Sequence, residues 1–167
     1  MMAKRSDTAS AGTPATVALV RAGIAFTAHA YEHVPRAAAY GLEAAEKLGL
    51  DPERVFKTLL ASVDGALAVG IVPVADQLDL KALAAALGGK RAEMADPAVA
   101  ERKTGYVVGG ISPIGQKTAL PTVLDESAIL CEKILVSGGR RGLDLELSPD
   151  DLIAVTSGRY APIARAR

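Results

Sequence analysis

Val55-Phe56-Lys57-Thr58-Leu59-Leu60-Ala61-Ser62-Val63, then Asp64-Gly65, then Ala66-Leu67-Ala68-Val69-Gly70-Ile71-Val72-Pro73-Val74, is a pair of apolar runs flanking a two-residue turn. Asp-Gly readily takes the positive φ angles of a tight hairpin, so the segment predicts two antiparallel strands and is the clearest local unit in the chain. Side chains alternate along a strand, which puts Val55, Lys57 and Leu59 on one face and Phe56, Thr58 and Leu60 on the other. Both faces are apolar, so the strand is expected inside a sheet, and Lys57 is its anomaly. One reading is an edge-strand lysine that discourages aggregation, with its stem packed and its amine in water. The other is a pocket lysine that holds an anionic or carbonyl group.

Helices and strands alternate on either side of this hairpin. Thr13-Pro14 predicts an N-cap with proline at the first helical position, and Gly23 closes that helix. A short strand is expected over residues 24–31. Helix returns from Gly41 to Leu48, with Gly49 as its stop. Asp79 caps a helix running to Leu87, and Asp96-Pro97 starts a shorter one. Short strands are expected at 105–109, 120–124, 133–137 and 143–147, and Ser148-Pro149-Asp150-Asp151 opens a C-terminal helix. The later strands lack long helical crossovers, which favours a mixed, largely antiparallel sheet with flanking helices. The fold class is α+β, loosely α/β, in a single domain.

Composition narrows the function. The 167 residues are enough for one ordinary domain, and 50% hydrophobic against 23% charged excludes disorder for most of the chain. Lys+Arg and Asp+Glu both total 19, which argues against a general nucleic-acid coat protein, since those carry a strong positive excess. A lone cysteine, Cys131, excludes an internal disulfide and a Cys-rich zinc site. The first 12 residues have basic groups but no apolar stretch behind them, and they read as a flexible tail ahead of a domain at 13–167. The longest apolar run, Gly65 to Ala75, is about half the ~20 residues a membrane span needs. The expected compartment is the cytoplasm, with no membrane partner.

Two glycine-rich segments, Gly105-Tyr106-Val107-Val108-Gly109-Gly110-Ile111-Ser112-Pro113-Ile114-Gly115 and Ser137-Gly138-Gly139-Arg140-Arg141-Gly142, each come after an expected strand. They read either as hairpin turns or as backbone N–H sets able to approach an anion. The second lacks Gly-Lys-Ser/Thr and matches no nucleotide fingerprint, although its paired arginines suit a phosphate. His29 and His33 bracket Tyr31 without a third metal ligand. Cys131, beside Leu130 and Ile134, reads as inert core. Asp144 alternates with Leu143 and Leu145 and reads as a solvent-facing carboxylate.

Four ordered segments go further: Phe56-Lys57-Thr58-Leu59-Leu60, Glu93-Met94-Ala95-Asp96, the run Thr104 to Lys117, and the run Val136 to Asp144. Together they resemble the YbaK/EbsC family, free-standing relatives of the editing domain inserted in bacterial prolyl-tRNA synthetases, and the likeness extends from about Thr13 to Ala164. The resemblance implies a mixed sheet with flanking helices around a pocket for the aminoacylated 3′ end of tRNA. By position it makes Lys57 the characteristic functional residue and Gly109 the oxyanion donor. It places Tyr31, Tyr40 (where relatives often carry Phe), Ser137, Gly139 and Asp144 around the substrate.

The implied activity is trans-editing deacylation of Cys-tRNA(Pro), and of Cys-tRNA(Cys), with neither cofactor nor metal. In that chemistry the cysteinyl sulfur attacks its own carbonyl, and catalysis is largely a matter of positioning. Lys57 would hold the terminal nucleotide or the carbonyl oxygen, while Asp144 and Ser137 would orient the α-amine or the sulfur. With no basic excess, modest affinity for tRNA alone is expected, together with prolyl-tRNA synthetase as a partner. Lys81, Lys90, Arg91, Arg102, Lys103, Lys117, Arg140 and Arg141 are the candidates for a local basic patch. The rival readings are a water-using editor of Ala-tRNA(Pro), a non-catalytic aminoacyl- or nucleotide-binding module, and a metal-dependent hydrolase.

Overall fold

Asp64 and Gly65 both take positive φ, at +50° and +88°, and the hairpin closes as their chemistry requires. The computed structural model describes residues 12–32 and 40–166. In it β2 (Phe56–Val63) pairs with β3 (Ala66–Pro73) over the full eight residues, from Phe56↔Pro73 to Val63↔Ala66. The Asp64 carboxylate then accepts from the backbone N–H groups of Lys90 and Arg91, at 2.9 and 3.0 Å. This ties the tip of the hairpin to β5 (Ala92–Met94), which pairs with β2 only over Ala61–Val63.

Beyond β3 the sheet continues in parallel through β6 (Thr122–Asp125) to β9 (Arg159–Ala161), giving the order β5-β2-β3-β6-β9. A second, antiparallel sheet has the order β1-β8-β7, from β1 (Thr27–Ala30), β7 (Ile134–Ser137) and β8 (Leu143–Leu147). The sheets meet at a bridge between Val55 and Leu135. A small pairing of β4 (Gln77–Leu78) with β10 (Ala164–Arg165) completes the strands among the described residues.

Helices cover these sheets where their caps begin them. α1 (Pro14–Ala22) starts at the Thr13 capping box and stops at left-handed Gly23. Thr13 also donates its hydroxyl to Gly138 O at 2.5 Å, fixing α1 to the β7–β8 turn. Leu19 of α1 and Leu152 of α5 (Pro149–Thr156) pack into one core with Phe56, Ile71, Val136, Leu143, Leu145 and Leu147. Each fully buried aliphatic side chain there contributes roughly 1.5–3 kcal/mol. α3 (Leu80–Ala86) covers a second cluster through Leu83, against Val63, Val72 and Ile163. α2 (Tyr40–Leu48) seats Ala44 and Ala45 on Val55, Val74 and Leu135. No helix among the described residues is long and apolar enough to cross a membrane.

The mixed, largely antiparallel architecture agrees with the sequence reading, and β8 has the expected limits. The strand expected at 105–109 does not form. α4 (Pro97–Thr104) ends there at left-handed Gly105, and the Tyr106 hydroxyl donates to Ile114 O at 2.7 Å, folding the segment back on itself. Tertiary contacts thus override the β propensity of Val107 and Val108. The first glycine-rich segment accordingly comes after a helix. Of the expected tail, residues 1–11 lie outside the described residues.

Candidate active site

Between the Val55–Leu135 bridge and the start of the β5 pairing, the side of β2 facing away from β3 has no strand paired to it among the described residues. A cavity of about 400 Å³ opens at this gap, lined by residues 56–60 and by the loops that close over them. β2 is interior over Ala61–Val63 and open at Lys57, whose half-buried side chain lines the cavity.

Opposite Lys57, the antiparallel register pairs Asp144 with Ser137 on one side and with His29 on the other. Directly paired residues share a face, so these three project the same way, away from the leucines of β8. Asp144 is not the solvent-facing carboxylate expected from alternation: it is 6% exposed and lines the cavity. The neighbouring sheet elements close over it, and burial raises its pKa to about 7. Tyr31 also lines the cavity, its N–H held by Gly142 O at 2.9 Å. Its hydroxyl is pushed up to about 12, first by burial and then by the charge of Asp144.

Gly109 reaches the cavity from the loop after α4, at φ +92°. On either side of it the N–H groups are occupied: Val108 donates to the Glu101 carboxylate and Gly110 to Val107 O, both at 2.8 Å. The Gly109 N–H has no partner among the described residues. The loop lies tight against the second glycine-rich turn, because a Cβ on Gly110 would sit 2.9 Å from Arg140 Cα. Ser137 lines the cavity, and its hydroxyl accepts the Gly139 N–H at 3.2 Å.

Gly139 itself stands outside the lining. At φ +108° it packs against Tyr106 and Thr13, where a Cβ would come within 2.8 Å of the Tyr106 ring. Tyr40 opens α2, but its side chain, like His33, lies outside the described residues. His29 bonds Glu146 at 2.7 Å, and Arg54 holds the second oxygen of that carboxylate at 2.8 Å. Cys131 ends a 3₁₀ turn away from the lining, its thiol pushed up by burial. Among the described residues no three His, Cys, Asp or Glu side chains gather as a metal-ligating group.

Arg140, marked in the sequence only for a phosphate, lines the cavity beside Gly109, with Met94, Ala95 and Pro97 at its other wall. Thr58 is the lining residue that sequence reasoning passed over. Its hydroxyl is buried with no hydrogen-bond partner among the described residues. Alternation showed its face but carried no sign that the hydroxyl would be orphaned. Such a group costs about 1–3 kcal/mol unless a ligand or water satisfies it. Thr58→Val, which keeps the shape and removes the hydroxyl, is therefore expected to raise Tm of the free protein. A fall in Tm would mean that the hydroxyl already has a partner.

The site therefore offers two cationic side chains, a carboxyl that titrates near neutrality, a backbone N–H with no partner among the described residues, and aliphatic walls. That set can bind a small acyl group, stabilise a developing oxyanion and pass a proton.

Comparison with known proteins places the chain in a family. The aminoacyl-tRNA editing domain family matches residues 35–155. A protein of Enterococcus faecalis named as a candidate Cys-tRNA(Pro)/Cys-tRNA(Cys) deacylase, EbsC, is 43% identical over 121 residues, covering 71% of this chain and 73% of that one. A proline–tRNA ligase of Maridesulfovibrio salexigens is 30% identical over 100 residues, or 60% of this chain and 17% of the ligase. A crystal structure described as a candidate trans-editing enzyme for prolyl-tRNA synthetase shares the fold, with a TM-score of 0.80 at 24% identity over 92% of this chain and 96% of the other. With the editing-domain match spanning the hairpin, both glycine-rich loops and every cavity-lining residue except Tyr31, which precedes it, the chain belongs to the aminoacyl-tRNA editing domain family.

Proposed function

We propose that this protein is a trans-editing deacylase that clears Cys-tRNA(Pro), and Cys-tRNA(Cys), by cleaving the aminoacyl ester. The observation that carries the reading is the convergence on one cavity of about 400 Å³ of Lys57, Asp144 and Gly109, whose N–H has no partner among the described residues. A site of that volume is at the small end for organic ligands, so it suits the aminoacyl end of a tRNA and not the folded RNA.

In the reaction the cysteinyl sulfur forms a bond to its own carbonyl carbon. The ester C–O bond breaks, and the thiol proton ends on the ribose oxygen of the released tRNA, leaving a cyclic thiolactone. Gly109 N–H donates to the carbonyl oxygen as charge develops on it, and Lys57 balances that charge. Asp144, titrating at about 7, receives the thiol proton and returns it to the leaving oxygen. Ser137 and Tyr31 orient the α-amine and the ribose. The protein supplies position and charge, and the substrate supplies the nucleophile.

A net charge of +0 gives little long-range attraction to the phosphate backbone, so a partner that already holds the tRNA is part of this reading. The similarity to a region of a proline–tRNA ligase supports prolyl-tRNA synthetase in that role. The test is deacylation of Cys-tRNA(Pro) and Ala-tRNA(Pro) in parallel, each with and without that synthetase. Fast loss of Cys alone, accelerated by the synthetase at low enzyme concentration, is expected. Equal loss of Ala would replace the substrate thiol with water, and loss of neither would leave a binding module.

A further inference from the structure

We infer that Glu101 and Arg141 act as a clamp on Val108 that aims the neighbouring Gly109 N–H into the cavity, making Glu101 a positioning residue for the deacylation. The inference rests on the function proposed above, in which that N–H meets the reacting carbonyl.

Both polar groups of Val108 are held from outside its own loop. Its N–H donates to the Glu101 carboxylate at 2.8 Å, from the helix that precedes the loop. Its carbonyl accepts from Arg141 Nη2, also at 2.8 Å, from the turn between β7 and β8. Gly110 is held by its N–H to Val107 O and by close packing on the Arg140 backbone. Every backbone donor next to Gly109 is thus engaged, and the peptide between two fixed points has one N–H left over, on the residue that lines the cavity.

The loop's own sequence does not explain this arrangement. Val107 and Val108 are exposed, at 66% and 39%, so apolar burial does little to fix the segment. Glu101 also lies in the C-terminal half of α4, where the helix dipole disfavours a negative charge. Its carboxylate is therefore badly placed for helix stability and well placed for the loop. Preorganised donors owe their effect to costing no rearrangement during the reaction, and a displacement of about 1 Å can cost about 10²-fold in rate.

The experiment compares wild type, Glu101→Ala and Glu101→Gln, measuring kcat and KM on Cys-tRNA(Pro), Tm, and amide hydrogen exchange at Val108. Glu101→Ala is expected to lower kcat by about 10- to 100-fold with KM within about threefold. Its Tm should be unchanged or slightly higher, because Ala is the best helix former and a misplaced charge is gone. Val108 exchange should rise, and Glu101→Gln, which keeps an acceptor oxygen, should recover most of the kcat. A kcat within twofold of wild type, a change confined to KM, or a loss of rate that tracks a fall in Tm would each overturn the clamp. A wild type that fails to deacylate at all would overturn the underlying function instead, so the two failures are distinguishable.

Discussion

Lys57→Ala is expected to lower kcat/KM for Cys-tRNA(Pro) deacylation by about 10²–10³-fold, the range seen when one preorganised partner of a developing oxyanion is removed. The size of the effect comes from the site's position at the gap in β2 pairing, where a half-buried ammonium faces a cavity walled mostly by aliphatic groups. Charge interactions are strengthened where solvent is excluded. The loss should fall mainly on kcat, since the balancing charge matters most in the transition state. Lys57→Arg should recover little, because a planar fork is not a point charge and needs more room. Tm should change by only a few degrees, because the side chain is partly exposed to solvent, where its interactions are screened. A variant retaining activity within about fivefold of wild type would remove Lys57 from the mechanism.

Asp144→Asn separates stability from activity. The carboxyl keeps its proton up to about pH 7 in the folded chain and loses it near its ordinary 3.8 when unfolded. Between those values the folded state binds more protons, so the sign is negative: stability is fully present below about pH 4 and drains away as pH rises through 7. At about 1.4 kcal/mol per pH unit the full loss is about 4 kcal/mol, an upper figure for a buried group. The Asn variant stays neutral throughout. It is expected to have a flatter Tm–pH profile than wild type from pH 4 to 7 and a higher Tm at pH 8. Its kcat should nevertheless fall by about 10²–10⁴-fold, since an amide cannot take and return the thiol proton. Parallel Tm–pH profiles for the two proteins would show that Asp144 is not the group that titrates.

Much of the fold was legible along the chain because it depends on neighbours in sequence. Asp64-Gly65 dictates the hairpin whatever surrounds it, since few other residue pairs accept its φ angles. Thr13, Asp79, Asp96 and Ser148 cap their helices through side chains that reach only two or three residues ahead. The alternation of Val55 to Val63 exposed Lys57 as out of place, and the ordered likeness to an editing family gave Gly109, Ser137, Asp144 and Tyr31 a common purpose.

The tertiary structure decided what local pattern could not. Whether Lys57 sat at an edge or in a pocket depended on where β5 stops pairing and where Leu135 bridges Val55, and neither is encoded near residue 57. Asp144 alternates as a surface carboxylate would, and its burial comes from a cavity that gathers β1, β2, β7 and the loop after α4 around it. Residues 105–109 carried strand propensity but became a loop, because Gly105 ends a helix and Glu101, Arg141 and Tyr106 pin the loop beyond it. Sequence thus set the elements, through hydrogen bonds and dihedral limits of short range. Long-range packing set the protonation of Asp144 and brought Gly109 to the cavity wall, because desolvation and loop placement depend on everything that surrounds a group.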